Sequence, residues 1–77
     1  MARFTVHQGK RYRATIQLSF VQSLASNEMV ADKFREVGFT EIVVTGSGRT
    51  RLAQGSWLHA GTSADIPDEV DDIQIEV

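Results

Sequence analysis

The chain has 77 residues, of which 42% are hydrophobic and 23% charged, and its formal net charge is −2. This length fits one small domain, residues 1–77, because a domain so short buries only about 60% of its unfolded surface and cannot be divided further. The sequence has no cysteine. This excludes thiol catalysis, disulfides and thiolate metal sites, and no apolar stretch approaches the ~20 residues of a membrane-spanning helix.

Charge is unevenly distributed along the chain. Residues 1–13 carry four basic and no acidic side chains, whereas residues 65–77 carry six acidic and no basic ones. One interpretation is that the basic end faces nucleic acid or an acidic partner. The other, which we favour, is that the two ends form neighbouring strands whose outward side chains pair, each pair contributing about 0.2–1 kcal/mol.

The first elements are strands. Between residues 11 and 18 every second residue is apolar: Tyr12, Ala14, Ile16 and Leu18. This period of two predicts a strand with one face in a core, and residues 3–7 also have an extended pattern. Gln8-Gly9-Lys10 either turns the chain into a hairpin or marks a bulge at Gly9 in one long strand.

A helix follows over residues 27–37. Val30, Phe34 and Val37 repeat at helical spacing, and Gly38 stands where a left-handed cap is usual, with Phe39 closing it hydrophobically. Its start is open: Ser26 or Asn27 can cap it, but Ser19 and Gln22 also form a capping box. If the helix starts at this earlier capping box, Leu24 and Ala31 lie on the same face of the helix as Phe34.

The remaining elements are mostly strands. TEIVVT over residues 40–45 predicts a strand, Gly46-Ser47-Gly48 a tight reversal, and residues 50–58 the returning strand. Residues 59–64 are expected to be a loop, and residues 66–70 a short helical turn with Pro67 in its first position. Ile73, Ile75 and Val77 alternate again and predict a final strand.

This order predicts a two-layer α+β fold with a mixed or antiparallel sheet and one main helix. It is the order of a ferredoxin-like, split βαβ unit with a degenerate second helix, in which the helix joins a parallel pair of strands. Its core is expected to contain Ile16, Leu18, Phe34, Ile42, Val44, Ile73 and Ile75. Because one helix covers only part of a sheet face, we expect a partner or a second copy to cover the rest.

No residue pattern indicates catalysis, a cofactor or a metal site. His7 and His59 lack a second ligand at helical spacing, and the acidic residues 65–72 lack calcium-loop spacing and its glycine. Gly46-Ser47-Gly48 is followed by a strand rather than by the helix that a phosphate site needs. No serine has a partner base, so we do not expect an enzyme.

The residues with the strongest potential for interaction are one tryptophan and four arginines: Trp57, Arg11, Arg13, Arg49 and Arg51. Trp57 either fills the edge of the core or anchors a partner. Arg11 and Arg13 share one strand face, as would Arg49 and Arg51. If these faces coincide, the sheet carries a basic patch for nucleic acid, although Tyr12 lies on the opposite face and no aromatic stacking platform accompanies it.

The stretch GFTEIVVTGSGRTRLAQGSW, together with ADIPDEV, resembles small phage and prophage proteins. The shared pattern comprises Gly38-Phe39, the turn at residues 46–48, Trp57 and the segment at residues 66–70. This resemblance covers about half of the chain and is structural. It implies a minor virion component or an effector in the host cytoplasm that binds another protein.

We therefore expect a non-catalytic protein-interaction module that self-associates. The alternatives are a nucleic-acid-binding sheet that uses the arginines, and an acidic chain that mimics nucleic acid. The low isoelectric point, about 5.5, argues against strong nonspecific binding of nucleic acid.

Overall fold

The computed structural model describes residues 2–76 as an α+β fold with one α-helix and two antiparallel sheets. A short 3-10 turn, Gln22–Leu24, precedes the helix α1, Asn27–Val37. The strands are β1 (Ala2–Val6), β2 (Lys10–Gln17), β3 (Thr40–Ser47), β4 (Thr50–Trp57), β5 (Thr62–Ile66) and β6 (Val70–Ile75). Val77, which we placed in the last strand, lies outside the described residues.

The larger sheet has the strand order β3-β4-β2-β6, and every neighbouring pair is antiparallel. β2 pairs with β4 along its whole length, from Lys10↔Trp57 to Gln17↔Thr50. β2 and β3 therefore run in the same direction but do not pair, because β4 lies between them. The parallel pair of strands expected on either side of the helix is therefore separated by β4, and every pairing in this sheet is antiparallel.

The smaller sheet is a ribbon of β1 and β5, paired from Ala2↔Ile66 to Val6↔Thr62. The chain turns at Gln8-Gly9, where Lys10 N–H donates to His7 C=O at 3.3 Å and Gly9 has φ 80°. Since β1 takes β5 as its partner, it forms neither a hairpin with β2 nor one long bulged strand. Residues 62–64, expected in a loop, belong to β5.

The segment from residue 66 to 70 makes a reverse turn and no helical turn. Val70 N–H donates to Pro67 C=O at 3.1 Å, and Val70 is already the first residue of β6, opposite Ile16. The predicted helical stub is wrong because both ends of the segment are held in strands.

The helix has the shorter of the two predicted extents, Asn27–Val37. Ser26 Oγ accepts from Met29 N–H at 3.2 Å, and Gly38, at φ 129°, ends the helix. Phe39 N–H donates to Phe34 C=O and Gly38 N–H to Arg35 C=O, which is a Schellman cap. On the solvent side Arg35 donates to Glu28 and Asp32, and these hydrogen bonds raise the pKa of its guanidinium.

The Ser19–Gln22 capping box exists, but it caps the 3-10 turn. Gln22 N–H donates to Ser19 Oγ at 3.1 Å, and Ser19 N–H donates to Gln22 Oε1 at 2.9 Å. Ala25 then returns to an extended conformation, at ψ 141°, which interrupts any continuous helix. The longer helix is therefore wrong, and Leu24, expected on the buried arc, is 83% exposed.

The predicted hairpin is present, with its reversal two residues later than expected. Ser47 pairs with Thr50, so Gly48 and Arg49 are the two turn residues, and Gly46 belongs to β3. Gly48 has φ 72° and occupies the first central position, where a type II′ turn requires glycine.

The core lies between the larger sheet, α1 and the β1–β5 ribbon. Ile16, Leu18 and Phe34 are buried as predicted, and the partly buried Ile42, Val44 and Ile73 pack against them. Ile75 is 45% exposed, which corrects the prediction, because β6 is the edge strand farthest from the strand over which α1 packs.

A chain of aromatic contacts runs through this core. Ring centroids lie 5.7 Å apart for Phe4 and Tyr12, 6.1 Å for Tyr12 and Phe39, and 5.1 Å for Phe39 and Trp57. Because Phe4 belongs to β1 and Tyr12 to the helix-covered face of β2, the ribbon covers that face beside the helix.

Candidate interaction surface

Arg51 lies inside the molecule. It stands directly opposite Ile16 on the helix-covered face of the sheet and is 4% exposed. Its guanidinium donates to Gly48 C=O at 3.0 Å, to Asn27 Oδ1 at 2.8 Å and to Ser23 C=O at 3.0 Å. Arg51 therefore joins the hairpin, the helix start and the 3-10 turn, and the four arginines do not share one face of the sheet.

Arg11 and Arg13 point to the opposite, open face of the sheet. Arg11 Nε lies 3.3 Å from Glu76 Oε2, and Arg11 Nη1 donates to Ser56 Oγ at 3.0 Å and to Glu41 C=O at 3.1 Å. In the ribbon, Arg3 Nε lies 3.2 Å from Asp65 Oδ1. The favoured interpretation of the charge distribution, pairing of the basic and acidic ends across neighbouring strands, is confirmed.

The other two candidate residues have separate positions. Arg49 is exposed in the hairpin turn, and its Nε donates to Leu18 C=O at 3.2 Å. Trp57 is 4% exposed, and its indole N–H donates to Ala60 C=O at 3.1 Å. Of its two interpretations, core residue and surface anchor, the structure supports the core position.

An open groove of about 440 Å³ lies beside the helix, at the end of the sheet face that the ribbon does not cover. Its floor comprises Ile16, Leu18 and Val70. We call it the apolar groove, and its further lining residues are Val21, Gln22, Leu24, Ala25, Met29, Val30, Lys33, Phe34, Pro67 and Glu69. A single helix leaves this part of the face uncovered, as the element order predicts.

The segment between β2 and α1 forms one wall of the groove and exposes large apolar side chains. We call residues 20–24 the lobe. Phe20 is 77% exposed, Val21 75% and Leu24 83%, and Met29 on the neighbouring helix is 60% exposed. A concentration of exposed apolar side chains around a concave apolar surface is typical of an interaction site.

The position of the lobe is fixed by polar contacts rather than by packing. Arg51 holds Ser23 C=O, and Ser23 Oγ donates to Phe20 C=O at 2.6 Å. Gln22 Nε2 donates to Glu69 Oε1 at 3.1 Å, which joins the lobe to the β5–β6 turn. The exposed side chains are thus presented on a segment that hydrogen bonds hold in place, through the carbonyls of Phe20 and Ser23 and the side chain of Gln22.

Sequence reasoning predicted the uncovered sheet face but missed the lobe beside it. The one available signal is Phe20-Val21, which interrupts a polar stretch after the alternation of β2 has ended and is not part of the helical repeat. The capping box at Ser19 pointed instead to a longer amphipathic helix, in which Leu24 would be buried.

No matching family model, curated protein or solved structure was found for the chain. Within residues 2–76, no three histidine, aspartate or glutamate side chains are grouped as a metal site would require. The His59 ring packs against Trp57, with centroids 5.4 Å apart. The single helix of the described part of the chain lacks the length and apolar character needed to cross a bilayer.

Proposed function

We propose that the chain is a non-catalytic protein-interaction module that self-associates through the apolar groove and the lobe. The observation that carries this proposal is the exposure of Phe20, Val21, Leu24 and Met29 around an apolar groove. In a monomer these side chains remain in water, so covering them is favourable.

The size of this surface supports association of moderate strength. Full burial of one large apolar side chain stabilises by about 1.5–3 kcal/mol. Since the four side chains are 60–83% exposed, each can contribute about 1–2 kcal/mol. A symmetric dimer buries two such sets, or about 8–16 kcal/mol, against a cost of association of ~4–15 kcal/mol. Self-association in the micromolar range needs a net of about 8 kcal/mol, which this surface supplies when its burial is nearly complete and the cost lies near the lower end of that range.

Sedimentation velocity across protein concentration tests the proposal. The wild-type chain should give a species above 8.5 kDa at micromolar concentration. Leu24→Glu should shift the chain to monomer, because it places a carboxylate beside the groove. The matched control is Leu58→Glu, since Leu58 is 53% exposed and does not line the groove. A wild-type monomer throughout, or equal effects of the two variants, would contradict the proposal.

The relation to phage proteins belongs to the same proposal. It is supported by the resemblance over Gly38-Phe39, Trp57 and residues 66–70, and it implies a minor virion component or an effector that binds another protein. Structural or lysis genes on either side of this gene would support it. A conserved neighbourhood of cellular metabolic genes would contradict it.

We further infer that β2, α1, β3, β4 and β6 form a ferredoxin-like unit. The split βαβ arrangement is supported by the position of β4 between β2 and β3. Where this order expects a second helix, between the last two strands of the sheet, the chain instead has β5, which pairs with β1.

A further inference from the structure

The two rims of the apolar groove carry opposite charges. The helix provides one rim, with Met29 and Lys33. The 3-10 turn and the β5–β6 turn provide the other rim, with Gln22 and Glu69 joined by their hydrogen bond. Lys33 and Glu69 are the charged side chains among the groove-lining residues in the described part of the chain.

Neither charge is committed to a strong contact within the chain. The Lys33 side chain is 71% exposed, and its ammonium lies 3.9 Å from a carboxylate oxygen of Glu36, itself 70% exposed. Such a surface pair contributes little. Glu69 accepts a hydrogen bond from the neutral amide of Gln22. Both side chains can therefore take a new partner at the mouth of the groove.

We infer that the occupant of the groove is a second copy of this chain, related by a two-fold axis, with Lys33 of each copy opposite Glu69 of the other. This inference rests on the proposed function and specifies its interface. A two-fold axis that runs along the groove, between the two copies, exchanges the rims, so each positive rim meets a negative rim. It also places the lobe of one copy against Met29 of the other, apolar surface against apolar surface.

This symmetry explains why a second copy fits better than an unrelated apolar segment. An apolar helix in the groove would cover the floor but would leave Lys33 and Glu69 without a counter-charge at its edges. The second copy supplies both counter-charges from the same pair of residues, and it buries both lobes at once. The charges and the exposed apolar side chains are thus both satisfied by one self-complementary surface.

A charge-exchange experiment on the full chain tests the arrangement. In a two-fold dimer of Lys33→Glu, the new glutamate of each copy faces Glu69 of the other copy. In a dimer of Glu69→Lys, the new lysine of each copy faces Lys33 of the other copy. Each variant alone should have a dissociation constant at least about ten-fold higher than that of wild type. In an equimolar mixture each contact joins Glu to Lys, so the mixture should regain a dissociation constant within about three-fold of wild type.

Two controls carry the same changes of net charge away from the groove. Lys10→Glu and Asp71→Lys lie at exposed positions outside the groove lining and should sediment as wild type does. Circular dichroism of every variant establishes that the fold is retained.

The outcomes separate this inference from the proposed function. Wild-type chain that stays monomeric refutes both. Wild-type chain that self-associates while Lys33→Glu and Glu69→Lys behave as their controls refutes the two-fold pairing alone, as does a mixture that fails to recover. Recovery in the mixture, together with weakened single variants, supports the pairing, because a merely structural loss would not be repaired by mixing.

Discussion

Replacing Phe34 by alanine should remove most of the stability of this small domain. Phe34 is 6% exposed, lies on the buried side of α1 and contacts Phe39 at a ring-centroid distance of 6.1 Å. The substitution removes side-chain volume on the order of 100 Å³, and a cavity of that size costs about 2.4 kcal/mol at ~24 cal/mol per Å³. Adding about 1.5–3 kcal/mol for lost burial gives a loss near the ~3–5 kcal/mol usual for such substitutions.

The matched control is Phe20→Ala, the same chemical change at a side chain that is 77% exposed. It should change the free energy of unfolding by less than about 0.5 kcal/mol when measured on dilute, monomeric protein. Because it belongs to the lobe, it should instead weaken self-association.

Urea denaturation followed by tryptophan fluorescence measures the change in the free energy of unfolding for both variants. Trp57 is the single tryptophan of the sequence and is 4% exposed, so its emission reports unfolding directly. A domain of this size has little more than ~5 kcal/mol of net stability, so Phe34→Ala should leave much of the chain unfolded in water. A loss below about 1.5 kcal/mol for Phe34→Ala, or an equal loss for Phe20→Ala, would refute the packing described here.

Three further substitutions have defined outcomes. Trp57→Ala should lower the melting temperature sharply and leave the dissociation constant of the folded protein unchanged, because Trp57 lies in the core. Unchanged stability together with lost association would show instead that Trp57 anchors a partner. Gly38→Ala should destabilise more than Gly48→Ala in thermal melts, because both have positive φ but only at Gly38 would the new Cβ lie 2.8 Å from the Trp57 ring. Arg51→Met should cost about 1–3 kcal/mol in chemical denaturation, because the part-buried carbonyls of Gly48 and Ser23 lose their donor, whereas Arg13→Met, on the exposed face, should have almost no effect. Equal effects would show that these hydrogen bonds of Arg51 contribute nothing to stability.

The elements that were predictable from the sequence are those fixed by local interactions. The helix from Asn27 to Val37 is determined by Ser26 at its start, by its own apolar repeat and by Gly38 at its end. The alternation around Ile16 fixes which face of β2 is buried, because a strand has only two faces. These signals depend on neighbours within a few residues of one another.

The pairing of strands was not predictable in the same way. β1 pairs with β5 across about sixty residues of sequence, and nothing local to Thr62–Ile66 identifies it as a strand. Its residues are small or polar except for Ile66 at the end, so the pairing with β1, rather than the side-chain pattern, determines its extended conformation. The predicted loop at residues 59–64 failed for this reason.

Arg51 shows where a signal was present but was outweighed by residue type. Along β4, Arg51, Ala53, Gly55 and Trp57 share one face, and Trp57 indicated that this face is buried. Arginine is so seldom buried that exposure was the expected outcome. Three oxygen acceptors from the turn, the helix start and the lobe satisfy it here, and these come together only in the folded chain.

The central position of β2 has a consequence for how the chain matures during synthesis. Both of its neighbours, β4 and β6, are made later, so at ~5–20 residues per second the strand waits for seconds with the apolar side of Tyr12 and Ile16 uncovered. Arg11 and Arg13 alternate with those apolar residues, and charged residues placed in this way are expected to disfavour aggregation of an uncovered strand. Their role changes once the end of the chain arrives and Glu76 reaches Arg11. Arg11, a charged neighbour of the apolar side chains in the unpaired strand, thus becomes part of the contact that joins β2 to the residue following β6.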